Sequence, residues 1–179
     1  MNIPNTLTLA RIVLVPLVIW LIVTHEMTAA FVLFLLAGVS DAADGYLAKR
    51  FQWRTELGSY LDPIADKLLL MSSYVFLAIP SYPGVVKVPV WLAFMVLSRD
   101  FLLLLVGLLM ILASGRKRFP PTWAGKVTTV TQIVTVLIVL CANLWNWPQA
   151  IAEIGFGGTA AMTVLSGFDY VYRVARHPE

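Results

Sequence analysis

The 179-residue chain has one cysteine and two histidines, and Asp, Glu, Lys and Arg together make up only 13% of it. A single cysteine, Cys141, excludes a disulfide scaffold, and its place in the apolar run 136–142 marks it as a packing residue. His25 and His177 stand far from each other and from that cysteine, so the nitrogen and sulfur ligands that zinc favours are lacking. So little charge excludes the surface of a soluble globular domain, and so few polar residues exclude a disordered chain. No glycine-repeat pattern of a collagen-like chain is present. A formal net charge of +3 makes no case for a nucleic-acid partner here, because in so apolar a chain the position of each charge matters more than the sum.

Apolar residues are what the chain has in quantity: 59% of it is hydrophobic, and the mean hydropathy is +0.81. They fall in stretches long enough to cross roughly 30 Å of hydrocarbon as helices, near 7–23, 28–49, 57–79, 88–113, 127–145 and 148–172. Breakers occupy the joints: Pro80, Pro83 and Gly84; Gly115, Pro120 and Pro121; then Trp145 to Pro148. No joint is long enough for a second domain, so one membrane domain over 1–179 is expected. The first stretch is expected to be a helix rather than a signal peptide, because no basic residue precedes Arg11 and no clear small-residue cleavage site follows.

The cations divide unevenly between the two sides of such a bundle. Arg11, Lys49, Arg50, Arg54, Arg116, Lys117, Arg118, Lys126, Arg173 and Arg176 share one side, which is ten of the thirteen, whereas only Lys87 lies opposite. Positive residues stay in the cytoplasm, so the expected fold is an all-α integral membrane protein of six transmembrane helices with cytoplasmic N- and C-termini. Its place would be the cell membrane, inner or cytoplasmic. Trp20, Trp91, Trp145 and Trp147 suit an aromatic belt at the other interface.

Four carboxylates stand where such a fold makes them costly. Asp41 and Asp44 lie toward the end of the second span, and Asp62 and Asp66 near the start of the third. An Asp at the centre of a membrane helix costs roughly 2.5 to 3.5 kcal/mol even on insertion-based scales, so four together require a compensating charge. Spacings of three and four put each pair on one helical face, and a hairpin of spans two and three brings both pairs to the same membrane surface. Hard divalent cations such as Mg²⁺ meet the need, because they favour carboxylate oxygen and bind together with substrate phosphates. Plainer readings exist: Asp62 before Pro63 as a helix N-cap, Asp44 before Gly45 as the turn ending span two, and a buried ion-pair cluster with Lys67 and Arg99. The run Gly155, Phe156, Gly157, Gly158 reads as close helix packing rather than a phosphate loop, since no strand precedes it.

The pattern Asp41-Ala-Ala-Asp44-Gly45-Tyr-Leu-Ala48-Lys49, eight residues, Gly58, three residues, Asp62, three residues, Asp66 resembles the signature of the CDP-alcohol phosphotransferases. It departs at Lys49, where the family has arginine. The resemblance implies a transfer from a CDP-linked lipid to an alcohol with release of CMP, using two divalent cations, Mg²⁺ or Mn²⁺. By the same resemblance Asp41, Asp44, Asp62 and Asp66 ligate the metals, Asp66 also serves as general base, and Asp44, Gly45, Ala48, Lys49 and Gly58 border the cytidine nucleotide. It further implies CDP-diacylglycerol as donor, membrane lipids around the chain and a homodimer as an oligomeric option.

For the acceptor, the stretch from Asn2 to Arg11 and Gly125-Lys126-Val-Thr-Thr resemble the branch of the family that uses glycerol 3-phosphate. A small phosphorylated alcohol needs cations, and Arg99, Arg116, Arg118, Lys126 and Arg173 are the candidates. Ser98-Arg99-Asp100 instead resembles the cardiolipin-forming branch, which uses phosphatidylglycerol. A divalent-cation channel would leave acids along a path through the membrane, whereas here Glu26, Glu153 and Lys87 are the only charges expected on the far side.

Overall fold

Six helices account for nearly all the described backbone, and their ends follow from local chemistry. The computed structural model describes residues 3–50, 56–79, 85–114 and 123–176, and the side chains of 12–40, 67–79, 85–106 and 123–170. The helices are α1 (Ile3–Val23), α2 (Met27–Arg50), α3 (Glu56–Ala78), α4 (Val90–Ser114), α5 (Trp123–Leu144) and α6 (Gln149–Arg176). All six expected spans are therefore helices. The fifth begins a turn earlier than hydropathy suggests, because Gly125 and Lys126 are polar but still helical.

Both short links on one side use a left-handed residue to stop a helix. His25 has φ 61° and Asn146 φ 52°. His25 N–H donates to Ile22 O at 3.2 Å and Glu26 N–H to Leu21 O at 2.9 Å, the paired bonds of a Schellman cap. Trp147 N–H likewise reaches back to Ala142 O at 2.9 Å. Prolines open the helices that follow: Pro89 O accepts from Leu92 and Ala93, and Pro148 O from Ile151, where a missing proline N–H costs nothing.

Contacts among the described residues close a ring in the order α1, α2, α5, α6, α4, α3, and α3 also reaches α5 across its middle. Consecutive α2 and α3 do not pack on each other there. Helix α1 stands against both, so the expected hairpin is a pair joined at one end by 51–55 and separated along its described length by α1. The links 24–26 and 145–148 and the described residues 85–89 converge at one end of the ring. There Asn143 takes both backbone groups of Val86, accepting from its N–H at 2.7 Å and donating to its carbonyl at 2.9 Å, and Phe31 meets Trp145 edge to face at 6.2 Å. Trp20, Trp91, Trp145 and Trp147 are all exposed at that end.

Polarity runs opposite to a soluble fold. Large apolar side chains cover the outside, Ile154 at 78% exposure and Phe94 at 73%, while Ser73, Arg99, Asp100, Thr128, Gln132, Thr135, Thr159, Thr163 and Ser166 are buried with the apolar core. Among the described residues, Trp123–Leu144 and Gln149–Tyr170 are long and apolar enough to cross a membrane, and Ile12–Val23, Met27–Ser40 and Lys67–Ala78 are shorter apolar stretches.

Candidate functional site

Positions 41 and 44 lie within α2, which continues to Arg50, so the Asp44-Gly45 pair does not end that helix. Position 62 lies well inside α3, which begins at Glu56, so Asp62 is not its N-cap. Helical backbone at all four positions keeps 41 with 44, and 62 with 66, on one side of their respective helices. The link between Arg50 and Glu56 is short enough to hold the facing ends of the two acid-bearing helices within about 20 Å of each other. The side chains of Asp41, Asp44, Gly45, Ala48, Lys49, Gly58, Asp62 and Asp66 lie outside the described residues. The donor set, carboxylate oxygen throughout, suits a hard divalent cation.

The described part of the site begins one residue later. Lys67 Nζ donates to Asp100 Oδ2 at 2.7 Å, and Arg99 donates from one terminal nitrogen to Asp100 Oδ1 at 2.6 Å. The other terminal nitrogen of Arg99 donates to Ser166 Oγ. Asp100 is fully buried, Arg99 retains 8% exposure and Lys67 20%. Three helices thus meet at one carboxylate: α3 through Lys67, α4 through Arg99 and Asp100, and α6 through Ser166. Asp100 lies ten residues into α4, about 15 Å from its start, where an isolated charge would be expensive. Pairing removes most of that cost, yet two cations share one carboxylate and Arg99 Nε has no hydrogen-bond partner among the described residues.

Beside this cluster runs a polar seam between α5 and α6. Thr128, Gln132 and Thr135 repeat at four and three residues on α5, and Thr159, Thr163 and Ser166 do the same on α6. Thr135 Oγ1 donates to Gly155 O at 3.0 Å and lies 2.8 Å from Thr159 Oγ1, and Thr128 Oγ1 donates to Met162 O at 2.9 Å. Tyr74 crosses from α3 to donate to Gln132 O at 3.2 Å. Both side-chain amide atoms of Gln132 are buried without a partner among the described residues. Ser166 and Gln132 were not singled out by the charge pattern; the matched stripes of hydroxyl and amide residues at helical spacing are the signal that marks them.

Of the expected acceptor cations, Arg99 is held by Asp100 and Ser166, and Lys126 is exposed in the first turn of α5. Arg116 and Arg118 fall in the link 115–122, and the side chain of Arg173 on α6 is likewise outside the described residues. Gly155 packs closely, as expected, whereas Gly157 and Gly158 have nothing within 4 Å of an added Cβ and face outward. The expected packing role of that run belongs to Gly155 and the buried Phe156. At the opposite end of the ring from the 51–55 link, a pocket of about 270 Å³ is lined by His25, Val86, Asn143 and Trp147 with their neighbours.

Comparison with known proteins adds a family match. The profile of the CDP-alcohol phosphatidyltransferases fits residues 1–165. Human cardiolipin synthase (CMP-forming) is 33% identical over 188 aligned positions, covering 96% of this chain and 61% of the human protein. The CDP-diacylglycerol–glycerol-3-phosphate 3-phosphatidyltransferase of Escherichia coli K12 is 33% identical over 174 positions, covering 95% of this chain and 93% of that enzyme. The Bacillus subtilis enzyme of the same name is 30% identical, with 94% and 93% covered. This chain spans about three fifths of the human cardiolipin synthase and nearly all of the two bacterial enzymes.

Proposed function

From the premise that the chain belongs to the CDP-alcohol phosphatidyltransferase family of enzymes, we propose that it transfers the phosphatidyl group of CDP-diacylglycerol to glycerol 3-phosphate, giving phosphatidylglycerophosphate and CMP in phospholipid biosynthesis. The observation that carries this reading is the uninterrupted acid pattern from Asp41 to Asp66 on two helix halves joined by one short link.

Asp41, Asp44, Asp62 and Asp66 would hold two divalent cations, which when bound neutralise the pyrophosphate and the charge growing on departing CMP. Asp66 takes the proton of the attacking glycerol hydroxyl as its oxygen bonds to the phosphatidyl phosphorus, and the bond from that phosphorus to the CMP oxygen breaks. Gly45, Ala48 and Gly58 leave room for the nucleotide, with Asp44 and Lys49 at its border. Arg116, Arg118, Lys126 and Arg173 take the acceptor phosphate, and Arg99, held between Asp100 and Ser166, is the fifth candidate cation. The six helices cross the cell membrane with both termini and the acids at the cytoplasmic side, where glycerol 3-phosphate is dissolved, and the lipid tails enter from the bilayer. A homodimer is part of this reading.

A second reading, cardiolipin formation with phosphatidylglycerol as acceptor, is favoured by Ser98-Arg99-Asp100. One assay separates the two. Purified protein given CDP-diacylglycerol is expected to release CMP faster with glycerol 3-phosphate than with phosphatidylglycerol, because a small dianion engages several cations where a phosphodiester presents one charge. Faster turnover with phosphatidylglycerol, with cardiolipin as product, makes the second reading correct.

A further inference from the structure

Asp100 is neutralised by Arg99 alone, at 2.6 Å and fully buried, so Lys67 is not needed to balance it. With Lys67 the cluster is formally two cations to one carboxylate, more positive charge than neutrality requires. What Lys67 adds is a tether. It fixes one point on α3 to α4 at 2.7 Å, and through Arg99 and Ser166 to α6. Tyr74 also ties α3 to α5 through Gln132 O at 3.2 Å, but seven residues further from the acids, and the buried side chains between, Leu69 and Leu70, are apolar; at the turn next to the acids the polar tie among the described residues is Lys67. Position 66 lies about 100° around the helix axis from 67, and position 62 about 140°. Any rotation of α3 at this turn therefore moves both acid positions together.

We propose that Lys67 is a positioning residue that locks the rotation of α3 and so sets the placement of Asp62 and Asp66 relative to Asp41 and Asp44, an inference that rests on the metal-holding role proposed for these acids. Charge and placement then act in opposite directions. Removing a cation one residue from Asp66 tightens divalent-metal binding if charge alone matters, whereas releasing the tether weakens it.

The test is a titration of the purified full chain with Mn²⁺ in the presence of CMP, following free Mn²⁺ by electron paramagnetic resonance, with thermal unfolding measured alongside. Lys67→Met keeps the Arg99–Asp100 pair but takes the donor from Asp100 Oδ2, so the midpoint is expected to fall modestly with the chain still folded at the titration temperature, while Mn²⁺ binding weakens roughly tenfold or more; Lys67→Arg, which restores the tether, is expected to recover affinity to within about threefold of wild type. Unchanged or tighter binding by Lys67→Met overturns the proposal, as does weaker binding that Lys67→Arg does not recover. A wild-type chain that binds no Mn²⁺ overturns the metal-holding reading and this inference with it, an outcome distinct from failure of the Lys67 variants in a wild type that binds.

Discussion

Gln132 stands in the ring's interior with a fully buried side chain whose two amide atoms have no partner among the described residues, while its backbone carbonyl accepts from Tyr74. A buried amide without hydrogen bonds costs about 1 to 3 kcal/mol, and that cost disappears if the side chain becomes apolar at similar volume. Gln132→Leu leaves the carbonyl bond from Tyr74 in place. Its expected effect is a higher unfolding midpoint for the detergent-solubilised protein, read by intrinsic fluorescence. A lower midpoint means that the amide is satisfied and its hydrogen bonds contribute to the fold. Asp100 shows the contrasting case, a buried polar residue whose oxygens are both taken.

At the scale of helices, the α5–α6 seam shows how a membrane bundle specifies contact where apolar burial drives little association. Hydroxyls bond across to backbone carbonyls, and Gly155 allows the two backbones to approach. A Cβ at 155 meets Thr135 Oγ1 at 3.1 Å and Ile138 Cδ1 at 3.4 Å. Gly155→Val is accordingly expected to destabilise by about 1 to 3 kcal/mol through overpacking and displacement of the Thr135 bond. Gly157→Ala, two residues on and open to the outside, is expected to be neutral or slightly stabilising because it only improves helix propensity. Equal loss in both variants, measured by thermal unfolding, means that Gly157 is covered in the assembled protein. The α2–α3 pair shows a different kind of element, two helices joined by one short link yet separated along their described length by α1.

For the molecule as a whole, the proposed function requires the acids and the 51–55 link to share the cytoplasmic face, opposite the end where His25, Val86 and Asn146 gather. Cysteine labelling tests this directly. In a Cys141→Ala background, Gln52→Cys is expected to react only with reagent supplied from the cytoplasmic side, and Asn146→Cys only from the opposite side. Reversed labelling separates the acids from cytosolic glycerol 3-phosphate and removes the acceptor on which the proposal depends.

Much of this architecture was already written in the residue order. In hydrocarbon every backbone group must be satisfied within its own segment, so long apolar runs between breakers can only be helices, and all six were legible with ends displaced by up to a turn. The acid pattern was equally legible, because charge inside such a run has few structural excuses and helical periodicity says which acids share a side. The structure alone decided the ring order, the insertion of α1 between α2 and α3, the capture of Asp100 by Lys67 and Arg99, and the difference between Gly155 and Gly157. The reason is physical: a membrane helix is apolar toward lipid and toward its neighbours alike, so hydropathy does not tell the inward face from the outward one. Hydrogen bonds and close backbone approaches make that distinction, and they exist only between helices already assembled.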